Sequence, residues 1–386
     1  MKTIKVSDNW KFFAQGNANI LLESPHKYSG KLLRLKKKGP PSTQIFQFYE
    51  QKVVPLIGNF VAKLELVRLE SQFAAYANLI CEEHSRGPIA GQEVSAQIYP
   101  DFISDKEYGL LIERVGHDST ENGPSSLATT ATTTTIKSAD SQEGAGGGLG
   151  AVLHKTVYQM NDSRDPVTLY SNYILEFKPK WLAPSPNAPG DAVRCRNCAL
   201  GLYRTGKEPA FCRADLTSSN YNLRFQAIKC IFGSFTADES RSEGVVSSIT
   251  TAEAALLTEL TAQFLDQCDI LNQLKTVQAR DTRGILDYGP DEELGDEFLM
   301  AMTFRDATIL LEIAHYDSSM TETQSSANNN NDSGKDTEKT ESGYLTLDRG
   351  GDKYYVRAKL VDLDMKQASR RDRWAKTERE LLKYYK

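Results

Sequence analysis

Apolar and polar positions alternate from the start of the chain. WKFFAQGNANILLE (Trp10–Glu23) has apolar segments on both sides of Gly16, Asn17, Ala18 and Asn19, and KLLRL (Lys31–Leu35) follows. That pattern predicts a hairpin whose turn is built of small residues. From Ser42 to Tyr76 the apolar spacing is helical, and Pro55 and Gly58 break it into at least two pieces. Val94–Tyr99 and Tyr108–Val115 read as strands, and Asn220–Phe232 as a surface helix. Thr251–Ala279 predicts one amphipathic helix with Leu256, Leu257, Leu260, Phe264, Leu271 and Leu274 on its stripe. Phe298–Ile313 is a strand-like apolar run interrupted at Phe304, Arg305 and Asp306, and Tyr344–Asp348 and Lys353–Leu363 read as further strands. Two low-complexity insertions, about 117–150 and about 317–343, lack the apolar content to fold and are expected to be a flexible loop and a disordered segment.

Composition narrows the class. The 386 residues are 25% charged and 40% hydrophobic, which fits a soluble globular protein of two or three packed units. No stretch approaches a membrane span, and MKTIKVSDNWKFF is too poor in apolar residues for a signal peptide, so a nuclear or cytoplasmic address is expected. A net charge of −5 gives no general attraction to nucleic acid, yet cations are bunched at 31–38, 178–180 and 357–373. Local basic knots on an acidic protein suit a compact polyanion; ordinary surface charge is the plain alternative for any one cluster. Six cysteines include the pair Cys195 and Cys198, with Cys212 a candidate third ligand for structural zinc and plain loop thiols the alternative.

The most informative stretch is ILEFKPKWLAPSPN (Ile174–Asn187), with Glu176, Lys178 and Lys180 at alternate positions before Trp181. In an extended chain these share a face, where a carboxylate can hold a metal while lysines grip phosphate. An edge strand with solvated charges gives the same pattern. Arg305 and Asp306 form a charged pair inside an apolar run, which requires a partner or a function. VDLDMK (Val361–Lys366) puts Asp362 and Asp364 at a strand end, and Lys366, Arg370 and Trp374 lie four apart, as on one helical face.

The Glu176–Lys180 signature, WLAPSPNAP and CRNCA resemble the fungal branch of the inositol-pentakisphosphate 2-kinases. The resemblance runs from about Trp10 to the C-terminus outside the insertions. It implies a kinase of α+β class with a two-lobed kinase-like fold of antiparallel sheets and helices. An N-terminal lobe would span 1–165 and a C-terminal lobe 166–386, with the active site in the cleft between them. It gives the Gly16–Asn19 turn, Arg34 and Glu176 to ATP, and Asp362 and Asp364 to magnesium. Asp306 becomes the base for the inositol 2-hydroxyl, with Lys178 beside it. Lys178, Lys180, Asn222, Arg224, Lys366, Arg370 and Trp374 become contacts to inositol pentakisphosphate, with Arg204 and Lys207 looser candidates. Gln367 replaces the family's proline, and Trp374 stands where tyrosine is common. The adenine-binding link falls either at Ile112–Val115 or at Met160–Ser163. A monomer without nucleic-acid partners is expected. A non-catalytic inositol-phosphate-binding module, or a kinase for another inositol phosphate, would share these lysines. The lack of His-Arg-Asp and Asp-Phe-Gly patterns argues against a protein kinase.

Overall fold

The structure, a computed structural model, describes residues 1–16, 18–24, 26–86, 103–114, 130–138, 151–160, 168–236, 248–316 and 344–386. It is α+β, with two compact units that divide between Pro124 and Ser125, ahead of the 165/166 boundary read from the sequence. Among the described residues no helix is long and apolar enough to cross a membrane.

The first unit holds strands β1 (Thr3–Ile4), β2 (Lys11–Gln15), β3 (Asn19–Glu23) and β4 (Lys31–Lys36), then β5 (Leu64–Leu69) and β6 (Tyr108–Glu113). They form one sheet in the order β1-β5-β6-β4-β3-β2, antiparallel except for the β1–β5 pair. The β2–β3 hairpin is the one expected from Gly16–Asn19. Helices α1 (Ser42–Phe48), α2 (Val54–Ile57) and α3 (Phe73–Arg86) accompany the sheet. Ile20, Leu22, Leu33, Leu35, Val67 and Leu69 bury one face with Trp10 and Phe73. Gly109 makes this packing possible, because a Cβ there would sit 2.9 Å from Leu33 Cδ1. The helical reading of 42–76 is corrected at β5: in LELVRL, Val67 and Leu69 point inward while Arg68 is exposed, a period of two. Val94–Tyr99 lies outside the described residues.

The second unit is built on a fully antiparallel sheet, in the order β11-β12-β10-β9-β8-β7. Its strands are β7 (Thr130–Lys137), β8 (Val152–Met160), β9 (Thr168–Phe177), β10 (Thr308–Tyr316), β11 (Leu345–Arg349) and β12 (Asp352–Val361). Strand β7 corrects the reading of 117–150 as loop throughout. Its threonines are poor in apolar content but β-branched, and they pair along β8 from Thr130↔Gln159 to Lys137↔Val152. The 317–343 insertion lies outside the described residues.

Helices α4 (Arg196–Thr205), α5 (Tyr221–Gly233), α6 (Thr251–Gln267), α7 (Ile270–Gln278), α8 (Asp296–Phe304) and α9 (Arg371–Leu381) complete the unit. The single helix expected over 251–279 is interrupted at Cys268 and Asp269. Its start is well formed: Thr250 Oγ1 accepts from the Glu253 amide at 3.1 Å and Glu253 Oε2 accepts from the Thr250 amide at 2.8 Å. Glu253 also accepts from Lys155 Nζ (2.5 Å) and Tyr173 OH (2.7 Å), which tie the helix to the sheet. The run read as strand at 298–313 is helix α8 followed by β10. FLMAMTF is apolar on all sides, so periodicity does not distinguish the two, and its Leu, Met and Ala favour helix.

Candidate active site

Strand β9 delivers the signature and ends at Phe177, so Lys178, Pro179 and Lys180 lie just past it. Lys180 and Asp362 both take the left-handed conformation, with φ of 59° and 60°. Such strain in residues other than glycine concentrates at functional sites. Lys180 Nζ lies 2.7 Å from Asp306 Oδ1 and Lys366 Nζ 2.5 Å from Asp306 Oδ2. Lys178 Nζ donates to the Asp306 carbonyl (3.2 Å) and to Asp362 Oδ2 (3.3 Å), and lies 3.8 Å from Asp306 Oδ1. Thr308 Oγ1 donates to the same Asp362 oxygen at 2.7 Å. The sheet register thus brings together two aspartates and three lysines from three distant segments.

Charge states follow from this packing. Burial would push the Asp306 carboxyl up, but Lys180, Lys178 and Lys366 outweigh it and hold it well below the usual carboxylate range. Burial lowers the Lys180 ammonium against the pull of Asp306, and Lys178 and Arg213 add to the lowering. Glu176 is pushed up by burial and by the charge of Asp362.

Beside this cluster, within the second unit, opens a cavity of about 270 Å³ whose walls carry Lys180, Asp306, Lys366, Arg370 and Trp374, all expected from sequence. The looser candidate Arg204 also lines it. Lys366, Arg370 and Trp374 do not share one helical face, although their spacing of four suggests it. Helix α9 begins only at Arg371, after a 3₁₀ turn over Ala368–Arg370, so Lys366 reaches the cavity from extended chain.

Arg196, Asn197, Arg213 and Arg373 also form this wall without having been singled out as site residues, and Arg305, marked in the sequence only as half of a charged pair, joins them. Trp181 organises two of them. Its ring lies between the guanidiniums of Arg196, 4.2 Å from the centroid, and Arg305, 3.7 Å away. Arg196 Nε is held by Glu378 Oε2 at 2.7 Å, and Arg305 Nη1 by Asp281 Oδ2 at 2.8 Å. Burial pushes Arg213 down to about 10. Gln278, fully buried, was also missed. Its Nε2 donates to the carbonyls of Lys180 (2.7 Å) and Phe304 (3.2 Å), and its Oε1 accepts from the Leu182 amide at 2.7 Å. It joins the backbone beside Lys180 to that just before Asp306. The signal available was a long polar side chain near the end of an otherwise amphipathic helix.

Asn222 and Arg224 do not line this cavity. Asn222 is exposed on α5, and Arg224 is held by Asp266 and by the Ser218 carbonyl. Lys207 is exposed and outside the wall too. In the first unit, the Gly16 amide donates to the Asn19 carbonyl at 2.9 Å and the Lys37 amide to the Ala18 carbonyl at 2.8 Å, closing the turn. Asn17 lies outside the described residues. Arg34 is buried in β4 opposite Leu21 and Leu110. Asp364 is half-buried after β12.

The cysteines do converge. Cys195 Sγ is 3.5 Å from Cys198 Sγ and 3.4 Å from Cys212 Sγ. Those spacings approach the edge of about 3.8 Å in a tetrahedral thiolate site with Zn–S near 2.3 Å. Hydrogen bonds from Cys198 and Cys212 lower the Cys195 thiol, which favours thiolate character. Among the described residues the cluster has three ligands. Arg196 and Asn197 sit between two of these cysteines and Arg213 follows the third, so the thiols and the cavity wall share one segment.

Fold and pocket together define an α+β protein with a cationic cavity and a carboxylate set among the cations. A profile of the inositol-pentakisphosphate 2-kinase family matches residues 12–380. A relative from Yarrowia lipolytica named inositol-pentakisphosphate 2-kinase is 22% identical over 374 residues, covering 97% of this chain and 90% of the relative. Another so named, from Eremothecium gossypii, is 26% identical over 137 residues, 35% of this chain and 41% of its own length. The chain belongs to the inositol-pentakisphosphate 2-kinase family. It is a kinase, which sets aside the non-catalytic binding module.

Proposed function

We propose that the protein transfers the γ-phosphoryl group of ATP to the 2-hydroxyl of inositol 1,3,4,5,6-pentakisphosphate, giving inositol hexakisphosphate. The observation that carries this reading is Asp306, the only acid among the described residues lining a cavity walled by lysines and arginines. A compact ring bearing many phosphates needs cations on several sides, and this wall supplies them from the signature, α4 and the C-terminal segment. Lys180, Lys366, Arg370 and Trp374 are assigned to the substrate, with Lys178 between the two aspartates. Arg196, Arg204, Arg213 and Arg373 extend that wall. The assignment of Asn222 and Arg224 to the same ligand rests on resemblance alone.

The hydroxyl proton goes to Asp306. In the structure that carboxylate is a weak base because three lysines stabilise its charged form. Phosphates that take up Lys180 and Lys366 relieve the hold, so basicity rises when the substrate is in place. Asp362 is a hard oxygen ligand with its side chain 53% exposed, which fits magnesium, and Asp364 supports it. Magnesium bound there would neutralise charge on the nucleotide phosphates. Arg34, the Gly16–Asn19 turn and Glu176 are assigned to the nucleotide, and the reading includes the two-lobed kinase-like arrangement. The cysteine triad is assigned to structural zinc.

Incubation of purified protein with magnesium, ATP and a panel of inositol phosphates tests the reaction. The pentakisphosphate with a free 2-hydroxyl should be converted to the hexakisphosphate. Conversion of the other isomers instead, or ATP consumption without a new phosphate ester, would refute it.

A further inference from the structure

A carboxylate is an odd component of a pocket for a polyanion, because its charge repels any phosphate that comes close. Asp306 is held firmly in that position. Its amide donates to the Thr303 carbonyl at 3.1 Å, its own carbonyl accepts from Lys178 Nζ at 3.2 Å, and its two oxygens are held by different lysines. With the side chain 37% exposed, the carboxylate remains open to a ligand.

We infer that Asp306 selects the phosphorylation state of the ring: it demands a hydroxyl at the ring position it faces and rejects the fully phosphorylated product. This rests on the reading of Asp306 as the base for an inositol phosphate. A hydroxyl facing the carboxylate donates a hydrogen bond to it. A phosphate in the same place carries about −1.5 to −2 charges and meets a fixed like charge. A pentakisphosphate can turn its one hydroxyl toward the acid. A hexakisphosphate has no such orientation, because every ring position is esterified. Coulomb attraction to the cations alone would favour the more highly charged ligand; the acid reverses that order. Specificity of this kind comes from a built-in repulsion. In the transfer itself, a bond forms between the ring oxygen and γ-phosphorus and the β–γ bridging bond breaks. The proton passes through Asp306 to solvent, which restores the repelling charge beside the new phosphate.

Calorimetric titration without nucleotide or magnesium, at fixed ionic strength, tests this. Wild-type protein should bind inositol 1,3,4,5,6-pentakisphosphate more tightly than inositol hexakisphosphate. Asp306→Asn should tighten hexakisphosphate binding about tenfold or more relative to pentakisphosphate. Equal tightening of both ligands would overturn the inference, since the acid would then only neutralise lysines. If Asp306→Asn is unfolded by thermal melt, Asp306→Ser gives the same comparison. If neither variant folds, the wild-type order decides, and tighter hexakisphosphate binding overturns the inference. Turnover of the variants separates the two ideas: retained turnover removes Asp306 as base, whereas lost turnover with an unchanged affinity ratio removes only the selectivity.

Discussion

Asp306 and Glu312 lie six residues apart on either side of the start of β10, and both are paired with positive charge. Glu312 is 3% exposed and fixed by Arg357, its register partner on β12, at 2.7 Å, with Asn172 and Tyr344 each donating at 2.9 Å. Asp306 is held by three ammonium groups on flexible stems, two from the segment after β9 and one from the segment after β12. A guanidinium bound in strand register makes a directional, planar contact, and this one is sealed by Tyr344 at 4.4 Å from the guanidinium. Lysines can turn to a new anion without unmaking the sheet. The same charge pairing therefore serves as structure in one place and, in our reading, as a replaceable counter-ion cage in the other.

That contrast can be broken in order of expected effect. Asp306→Asn should leave the fold intact and lower turnover by about 10²–10⁴-fold, the range for loss of a general base. Wild-type turnover in that variant would remove the base assignment. Glu312→Ala should do the reverse, removing the carboxylate paired with a buried guanidinium and costing about 3–5 kcal/mol in urea unfolding. A loss below about 1 kcal/mol would show that the network is dispensable. Gln278→Leu should fall between these. It removes buried hydrogen bonds at Lys180 and Phe304, costing about 1–3 kcal/mol, and it should also reduce turnover by loosening the approach of Lys180 to Asp306. Stability loss with unchanged turnover would confine Gln278 to a structural role.

The smallest effect concerns acid stability. Burial opposes ionisation of Glu253, but Lys155, Thr250 and Tyr173 bring its pKa down to about 2. A depressed folded value stabilises the protein above the unfolded carboxyl's pKa and loses that contribution as pH falls through the folded one. Glu253→Gln should therefore cost about 1–2 kcal/mol at pH 7, and the gap to wild type should close between roughly pH 4.5 and 2. A gap that persists at pH 2 would point to packing instead.

The chemistry of the cluster was legible in sequence because it resides in residue types at short spacings. Lys178 and Lys180, Arg305 and Asp306, and Asp362 to Lys366 each stand out locally, and sheet pairing then joins them. Strands with period-two alternation, such as β3 and β12, were readable for the same reason. FLMAMTF was not, since a uniformly apolar run leaves helix and strand undivided until its neighbours pack. The stack of Arg196, Trp181 and Arg305 depends on tertiary contact alone. Arg196 was hidden further by the cysteines around it, which drew attention to metal binding. Arg224 was named by resemblance and not by spacing, and its guanidinium is held by Asp266 and the Ser218 carbonyl.

The placement of indoles has a practical consequence. The chain has three tryptophans, of which Trp10 is packed in the first unit's core while Trp181 and Trp374 line the cavity. A ligand that redistributes charge around Arg196 and Arg305 changes the surroundings of Trp181 directly. Intrinsic fluorescence thus offers an unlabelled readout of occupancy, and Trp374→Phe leaves a single cavity emitter to follow.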